Sequence, residues 1–229
     1  MYLKEKVKVI RGVIKKSVFL CLIFLVWSLS YVEEIFIENP NFIRNNQTIL
    51  LTVHIIIACL LLYWIYQKYQ KQLQLNNPRN FGFHKFTKNK GLFFIAMVIL
   101  NQMIDLVYTF LENQEVTNIP ENQEILNKMI DIMPISMFFT IVIFAPLGEE
   151  LIFRGIFFNY FFTKNSKSNN LLVVLVSGLV FGLLHEQNIS LNLLVYASAG
   201  WILGFIYLYT KDIRYSIAFH FLNNFLSYF

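Results

Sequence analysis

The stretch Pro146-Leu147-Gly148-Glu149-Glu150-Leu151-Ile152-Phe153-Arg154-Gly155 sets two adjacent carboxylates and an arginine inside a run that is otherwise uncharged from Ile132 to Phe162. A charged side chain near the middle of a bilayer costs several kcal/mol, from about 2.5 to above 10, so such residues face a partner or a water-filled cavity. Read as a helix, Glu150 and Arg154 lie four apart on one face, with the carboxylate N-terminal to the cation, which is the better-oriented order. Glu149 is turned about 100° from Glu150 and about 140° from Arg154, which leaves it the freer carboxylate. The expectation is a division of labour in which Glu150 and Arg154 neutralise and orient one another while Glu149 points at chemistry. The same residues also fit a structural ion-pair cluster, or charges at a helix end near the membrane surface.

That run decides the class of protein together with the rest of the chain. Only 14% of the 229 residues are charged and 56% are hydrophobic, with a mean hydropathy of +0.53. A soluble domain carries about 25% charged residues. The expected fold is all-α, a polytopic bundle of transmembrane helices. The net charge of +5 does not imply a nucleic-acid partner, because the basic residues sit in short loops between apolar spans, where membrane topology puts them. Cys21 and Cys59 fall inside apolar spans without metal-ligand spacing, so neither a disulfide framework nor a zinc knuckle is implied.

Seven spans are expected, at about 18–32, 49–66, 91–111, 132–163, 170–185, 191–209 and 215–229. The first follows a basic stretch, residues 1–16, and resembles a secretory signal with small residues at Ser28-Leu29-Ser30; continuation as a multispanning chain favours a retained span. Tyr63, Trp64 and Tyr66 suit a membrane interface. The fourth segment is too long for one straight crossing, so Pro134, Pro146 and Gly148 are expected to mark bends or breaks. All of the 19 Lys and Arg except Arg44, Lys128 and Arg154 fall in alternate connections or at the N-terminus. The intervening loops hold Glu33, Glu34, Glu38, Glu112, Glu115, Glu121, Glu124, Asp131 and Glu186. This predicts the N-terminus inside and the C-terminus outside a multi-pass protein, and the abundance of Asn, Ile, Lys and Phe, which suggests an AT-rich coding sequence, points to a bacterial plasma membrane. Two membrane regions are expected, 1–131 with three spans and 132–229. Among the intramembrane polar residues, His54 reads as hydrogen-bonded to a neighbouring helix, and Asp105 has no partner identifiable in the sequence. Gly200 and Gly204 form a G-x-x-x-G step, with Ala197 one turn earlier, that predicts close helix packing.

Two further spans carry polar groups at helical spacing. Phe181 and His185 share a face, with Gly178 and Gly182 allowing another backbone to approach. His220 and Asn224 lie one turn apart in the last span. With Glu149, Glu150 and Arg154 they supply a base, two imidazoles and an amide from three helices, as metal-free or metal-assisted hydrolysis would need.

These residues resemble the CPBP family of intramembrane proteases, also called the CAAX-protease or Abi family, whose signature is E-E-x-x-x-R, then F-x-x-x-H, then H-x-x-x-N. Here they stand as Glu149-Glu150-Leu-Ile-Phe-Arg154, Phe181-Gly-Leu-Leu-His185 and His220-Phe-Leu-Asn-Asn224; the resemblance covers about 132–229. It implies hydrolysis of a peptide bond within or beside the membrane, with membrane lipid and a peptide or protein substrate as partners. By position, Glu149 would activate water as general base and His185 would help to hold it. His220 and Asn224 would stabilise the oxyanion, with Glu150 and Arg154 in support. No cofactor is favoured. Zn²⁺ is possible, with Glu149, His185 and His220 as ligands, but the H-E-x-x-H arrangement is absent.

Counting about 1.5 Å per residue from the inner ends puts Glu149 and His185 about 22 Å deep, but His220 about 9 Å and Asn224 about 15 Å. The last helix therefore begins earlier, tilts, or meets a bent fourth segment. The competing reading is a non-catalytic bacteriocin-immunity or regulatory membrane protein that binds a peptide or partner in the same cavity. A small transporter would show related halves, and the sequence carries no such repeat. The substrate is unreadable at this level, with leader, pheromone, bacteriocin or lipidated peptides as the classes.

Overall fold

The computed structural model describes residues 2–228, and the side chains of all of them except residues 2–5, 8, 9, 34 and 121. Phe229 and the side chains of Lys4, Lys8, Glu34 and Glu121, which entered the span and charge assignments, lie outside the described residues. Eight helices follow one another with no strand among the described residues: α1 Tyr2–Ser28, α2 Pro40–Leu75, α3 Lys88–Asn113, α4 Glu121–Ile132, α5 Pro134–Phe161, α6 Lys167–His185, α7 Leu191–Thr210 and α8 Ile213–Tyr228, with a 3₁₀ turn at Val32–Phe36 between α1 and α2. The protein is a multi-pass integral membrane protein. Helices α2, α3, α5, α6 and α7 are each long and apolar enough to cross a bilayer. The first and last expected spans are helices as well, but α1 carries Arg11, Lys15 and Lys16 near its middle and α8 has 16 residues.

Helix boundaries follow local chemistry. Ser166, Ser190 and Thr87 each accept a backbone N–H with the side chain at the start of α6, α7 and α3, which satisfies donors that a helix start leaves unpaired. Asn39 does the same before Pro40, and α2 therefore begins nine residues earlier than the expected span and continues to Leu75, with a non-helical Asn46 inside it. Residues 121–131, expected to be loop, form α4 together with Ile132, and Asn122, Leu126 and Ile130 at spacings of four share one face.

Helix α5 is the centre of the bundle. More than half of its most apolar 18 residues are buried, against 6% for α3, and it touches α1, α2, α4, α6 and α8. Of the bends or breaks expected at Pro134, Pro146 and Gly148, the first is present, since α4 ends at Ile132, Met133 is non-helical and Pro134 opens α5, whereas the helix runs unbroken through Pro146 and Gly148. Pro134 occupies the first turn of α5, where its missing N–H costs nothing. The rest runs as one helix in which two wider π turns, Phe139–Phe144 and Leu151–Ile156, absorb the irregularity. Gly148 serves close approach instead: a Cβ there would stand 2.3 Å from the indole of Trp27. The tightest pairing is α6 on α7, where a Cβ on Gly200 would meet Gly178 Cα at 2.7 Å and one on Gly182 would meet Ala197 N at 2.9 Å.

The connection between α2 and α3 is pinned to the end of α7. Asp212, buried, accepts the His84 N–H at 3.0 Å and an Arg214 guanidinium bond at 2.6 Å, and Gly82 N–H donates to Lys211 O at 2.9 Å. Arg79, assigned by sequence to a basic loop, is 2% exposed and closes the end of α5 through the carbonyls of Phe162 and Lys164 and the amides of Asn159 and Asn170. Burial pulls its guanidinium pKa below the ordinary value.

Candidate active site in the membrane

Glu150 and Arg154, four apart on α5, are both fully buried and joined at 2.7 Å. Arg154 also donates to Gly200 O at 2.9 Å and lies 5.0 Å from the centre of the Phe181 ring. The carbonyl that takes the first of these bonds belongs to the glycine at which α7 closely approaches Gly178 of α6. Glu150 further accepts a hydrogen bond at 3.1 Å from Nδ1 of His220 on α8. Because a carboxylate only accepts, this bond places a proton on Nδ1 and turns Nε2 the other way, to 3.9 Å from Glu149 Oε2.

Glu149 differs from its neighbour in having no such partner. Its Oε2 is buried without a hydrogen bond, and the side chain retains 14% exposure. That exposure opens onto a cavity of about 320 Å³, whose walls include Glu149, His185, His220, Asn224, Phe181 and Tyr196. The ring of His185 stacks on Phe181 and Tyr196 at 4.5 and 5.0 Å between centroids, and its Nδ1–H donates to Phe181 O at 2.8 Å. Nε2 is the ring nitrogen left over. The depth mismatch expected for α8 is thus removed by packing: α8 lies against α5 and brings His220 beside both glutamates.

Asn224 is tied to α5 by the irregularity there. In the π turn the Ala145 N–H bonds back to Thr140 O, five residues earlier. Continued by one residue, that register would pair the 146 N–H with Ile141 O, but Pro146 has none. The orphaned carbonyl is taken by Asn224 Nδ2 at 2.8 Å, leaving the second amide hydrogen of Asn224 uncommitted.

The six residues singled out in the sequence are therefore assembled on α5, α6 and α8, four of them on the cavity wall and two beneath it. Other lining residues were not singled out: Asn223, Tyr196, Thr140, and Asn122 and Gln123 of α4. The repeat at 122, 126 and 130 was a legible signal for α4. Nothing in the sequence aimed Tyr196 or Thr140 inward. Asp105, left without a partner, accepts from Asn101 at 2.7 Å, and Asn101 also donates to Asn223 at 2.7 Å. Among the described residues, no three His, Cys, Asp or Glu side chains converge as a metal-holding group; Glu149 and His220 face one another while His185 stands on α6.

Residues 131–226 match the family model of the type II CAAX prenyl endopeptidase Rce1-like proteins. The chain is 30% identical over 104 residues to YdiL of Bacillus subtilis (strain 168), named as a candidate membrane peptidase, an alignment covering 45% of this chain and 40% of that protein. It is 28% identical over 162 residues to the membrane-embedded CAAX protease MroQ of Staphylococcus aureus (strain USA300), covering 66% of this chain and 63% of that relative. The chain thus spans less than two thirds of either curated relative. No solved structure matches.

Proposed function

We propose that this chain, whose residues 131–226 belong to the CPBP family of intramembrane proteases, is an endopeptidase that hydrolyses a peptide bond with a water activated by Glu149. The observation that carries the reading is the contrast between two adjacent carboxylates. Glu150 is held through Oε1 by Arg154 and His220 with its unbonded Oε2 sealed away from the cavity, whereas Glu149 makes no side-chain hydrogen bond and stands on a cavity wall shared with His185 and Asn224.

In the proposed reaction, water held between Glu149 and His185 Nε2 gives its proton to Glu149 as its oxygen attacks the scissile carbonyl carbon. The electron pair of the carbonyl moves to oxygen. With His220 protonated on both nitrogens, Nδ1–H stays on Glu150 and Nε2–H is free to stabilise that oxyanion, together with the uncommitted hydrogen of Asn224. Collapse breaks the C–N bond, and the proton on Glu149 passes to the departing amine. No metal is required in this scheme.

The wall chemistry bears on the substrate. Among the described lining residues Glu149 is the only acid and there is no Lys or Arg; the rest are aromatic, aliphatic, hydroxyl and amide side chains with the imidazoles of His185 and His220. A free carboxylate held in the cavity would stand near Glu149 in a poorly screened setting. The reading is therefore cleavage inside an uncharged membrane-associated segment, with Asn122, Gln123 and Asn223 among the polar groups of the wall. The test is cleavage of quenched leader and lipidated peptides by purified protein, wild type against Glu149→Ala and His185→Ala, with and without chelator. Each peptide is supplied as the free acid and as the C-terminal amide. Cleavage lost in both variants, kept with chelator and favouring the amide is the expected result. Loss with chelator and recovery with zinc would move Glu149 and the histidines to ligand roles, and an inactive wild type would sink the reading.

A further inference from the structure

A second acid–imidazole cluster lies outside the region matched by the family model. Glu33, in the 3₁₀ turn after α1, is 3% exposed; His54 on α2 is fully buried. His54 Nδ1 sits 3.1 and 3.0 Å from the two Glu33 oxygens, and Ser136 of α5 donates its hydroxyl to Glu33 Oε1 at 2.8 Å. Thr140 Oγ1 lies 3.4 Å from the same imidazole nitrogen and donates to Ser136 O at 2.9 Å. Two ionisable groups buried this completely need a reason, and neither lines the cavity.

The reason is one residue away. Thr140 and Ile141 are consecutive in the π turn. Thr140 is held through its hydroxyl by Ser136 O, which belongs to the residue bonded to Glu33, and its oxygen faces His54 Nδ1 in a longer 3.4 Å contact, while Ile141 offers the carbonyl that Pro146 leaves empty to Asn224. We propose that Glu33 and His54 are positioning residues for Asn224: through Ser136 and Thr140 they fix the π turn, and the π turn fixes the amide at the site. The inference rests on the peptidase reading for the consequence in catalysis, though not for the coupling itself. Its functional meaning is that the first third of the chain sets the geometry of the oxyanion side while contributing no reacting group.

The experiment is a double-mutant cycle of His54→Gln with Asn224→Ala, read in both peptide cleavage and thermal midpoint of the detergent-solubilised protein. His54→Gln alone is expected to lower kcat up to about 100-fold by misplacing the amide, with KM unchanged. In the Asn224→Ala background it should lower kcat no further, and the midpoints should be non-additive in the same way. Effects that multiply in kcat, or that fall on KM, overturn the proposal. If His54→Gln fails to fold, Thr140→Val removes the same grip at nearly constant volume and the cycle is run with it. Absence of any cleavage by wild type would defeat the peptidase reading, and the coupling then stands or falls on the midpoints alone.

Discussion

Two buried sites in this bundle use the same groups to opposite ends. At Glu33 and His54 both carboxylate oxygens are engaged by the imidazole, a serine hydroxyl adds a third bond, and the cluster is sealed between α2 and α5. At Glu149, Glu150, Arg154 and His220 the same chemistry is divided unevenly: Glu150 takes both the guanidinium and the imidazole on Oε1, leaving Glu149 beside a cavity with no hydrogen-bonded partner. A carboxylate buried in a membrane is costly unless paired, so a fully paired one reads as structure and an unpaired one beside a cavity reads as function. The residue types alone do not distinguish the two.

Substitutions that remove one charge at each site should separate them. Glu149→Gln is expected to lower cleavage about 10²- to 10⁴-fold, the range of a general base, with little change in the thermal midpoint because no hydrogen bond is lost. Glu33→Gln should do the reverse in weight: a lower midpoint and a smaller loss of cleavage. Equal losses of midpoint in both variants would erase the comparison. Arg154→Met tests the pairing beneath the site. It leaves Glu150 buried without its cation, a change that costs about 3–5 kcal/mol in comparable buried pairs, and the double variant Glu150→Gln, Arg154→Met should recover part of it. Equilibrium unfolding in mixed detergent reads both. Gly200→Ala acts more gently on the same contact, since its Cβ would meet Gly178 Cα at 2.7 Å and push Gly200 O away from Arg154; overpacking of this kind costs about 1–3 kcal/mol.

Much of the open site was legible because its spacing is helical: Glu150 with Arg154 and Phe181 with His185 stand at the intervals that bring side chains together on one face, and the structure places each pair in contact. The sealed cluster was not legible. Glu33 and His54 come from different elements, 21 residues apart, and periodicity within one helix says nothing about a bond between two; Glu33 read as an outer-loop charge and His54 as a helix-packing histidine with no named partner. Pro146 shows a third case. Its presence in the long apolar segment was plain, and a break was the ordinary inference, but a π turn before it and Asn224 across from it supply what the ring removes. That compensation joins α5 to α8, so no local rule could have found it.

Asp212 extends the comparison to a buried carboxylate outside the membrane-spanning helices, and to the smallest expected effect. Burial by itself would raise its pKa, but the Arg214 side chain and the backbone N–H groups of His84 and Arg214 outweigh burial and hold it below the ordinary 3.8. The unfolded chain therefore takes up a proton first as pH falls. The stabilisation is fully present above about pH 5, begins to fade as pH falls through 3.8, and is lost below the folded value. The midpoint difference between wild type and Asp212→Asn should accordingly be constant from neutral pH down to about 5 and shrink at lower pH. Cleavage at neutral pH should change little, since Asp212 holds the 76–87 connection and lies apart from the cavity wall. A midpoint difference that grew on acidification would mean that Asp212 is stabilised protonated, which would set it against the charge-paired carboxylates with which its Arg214 contact groups it.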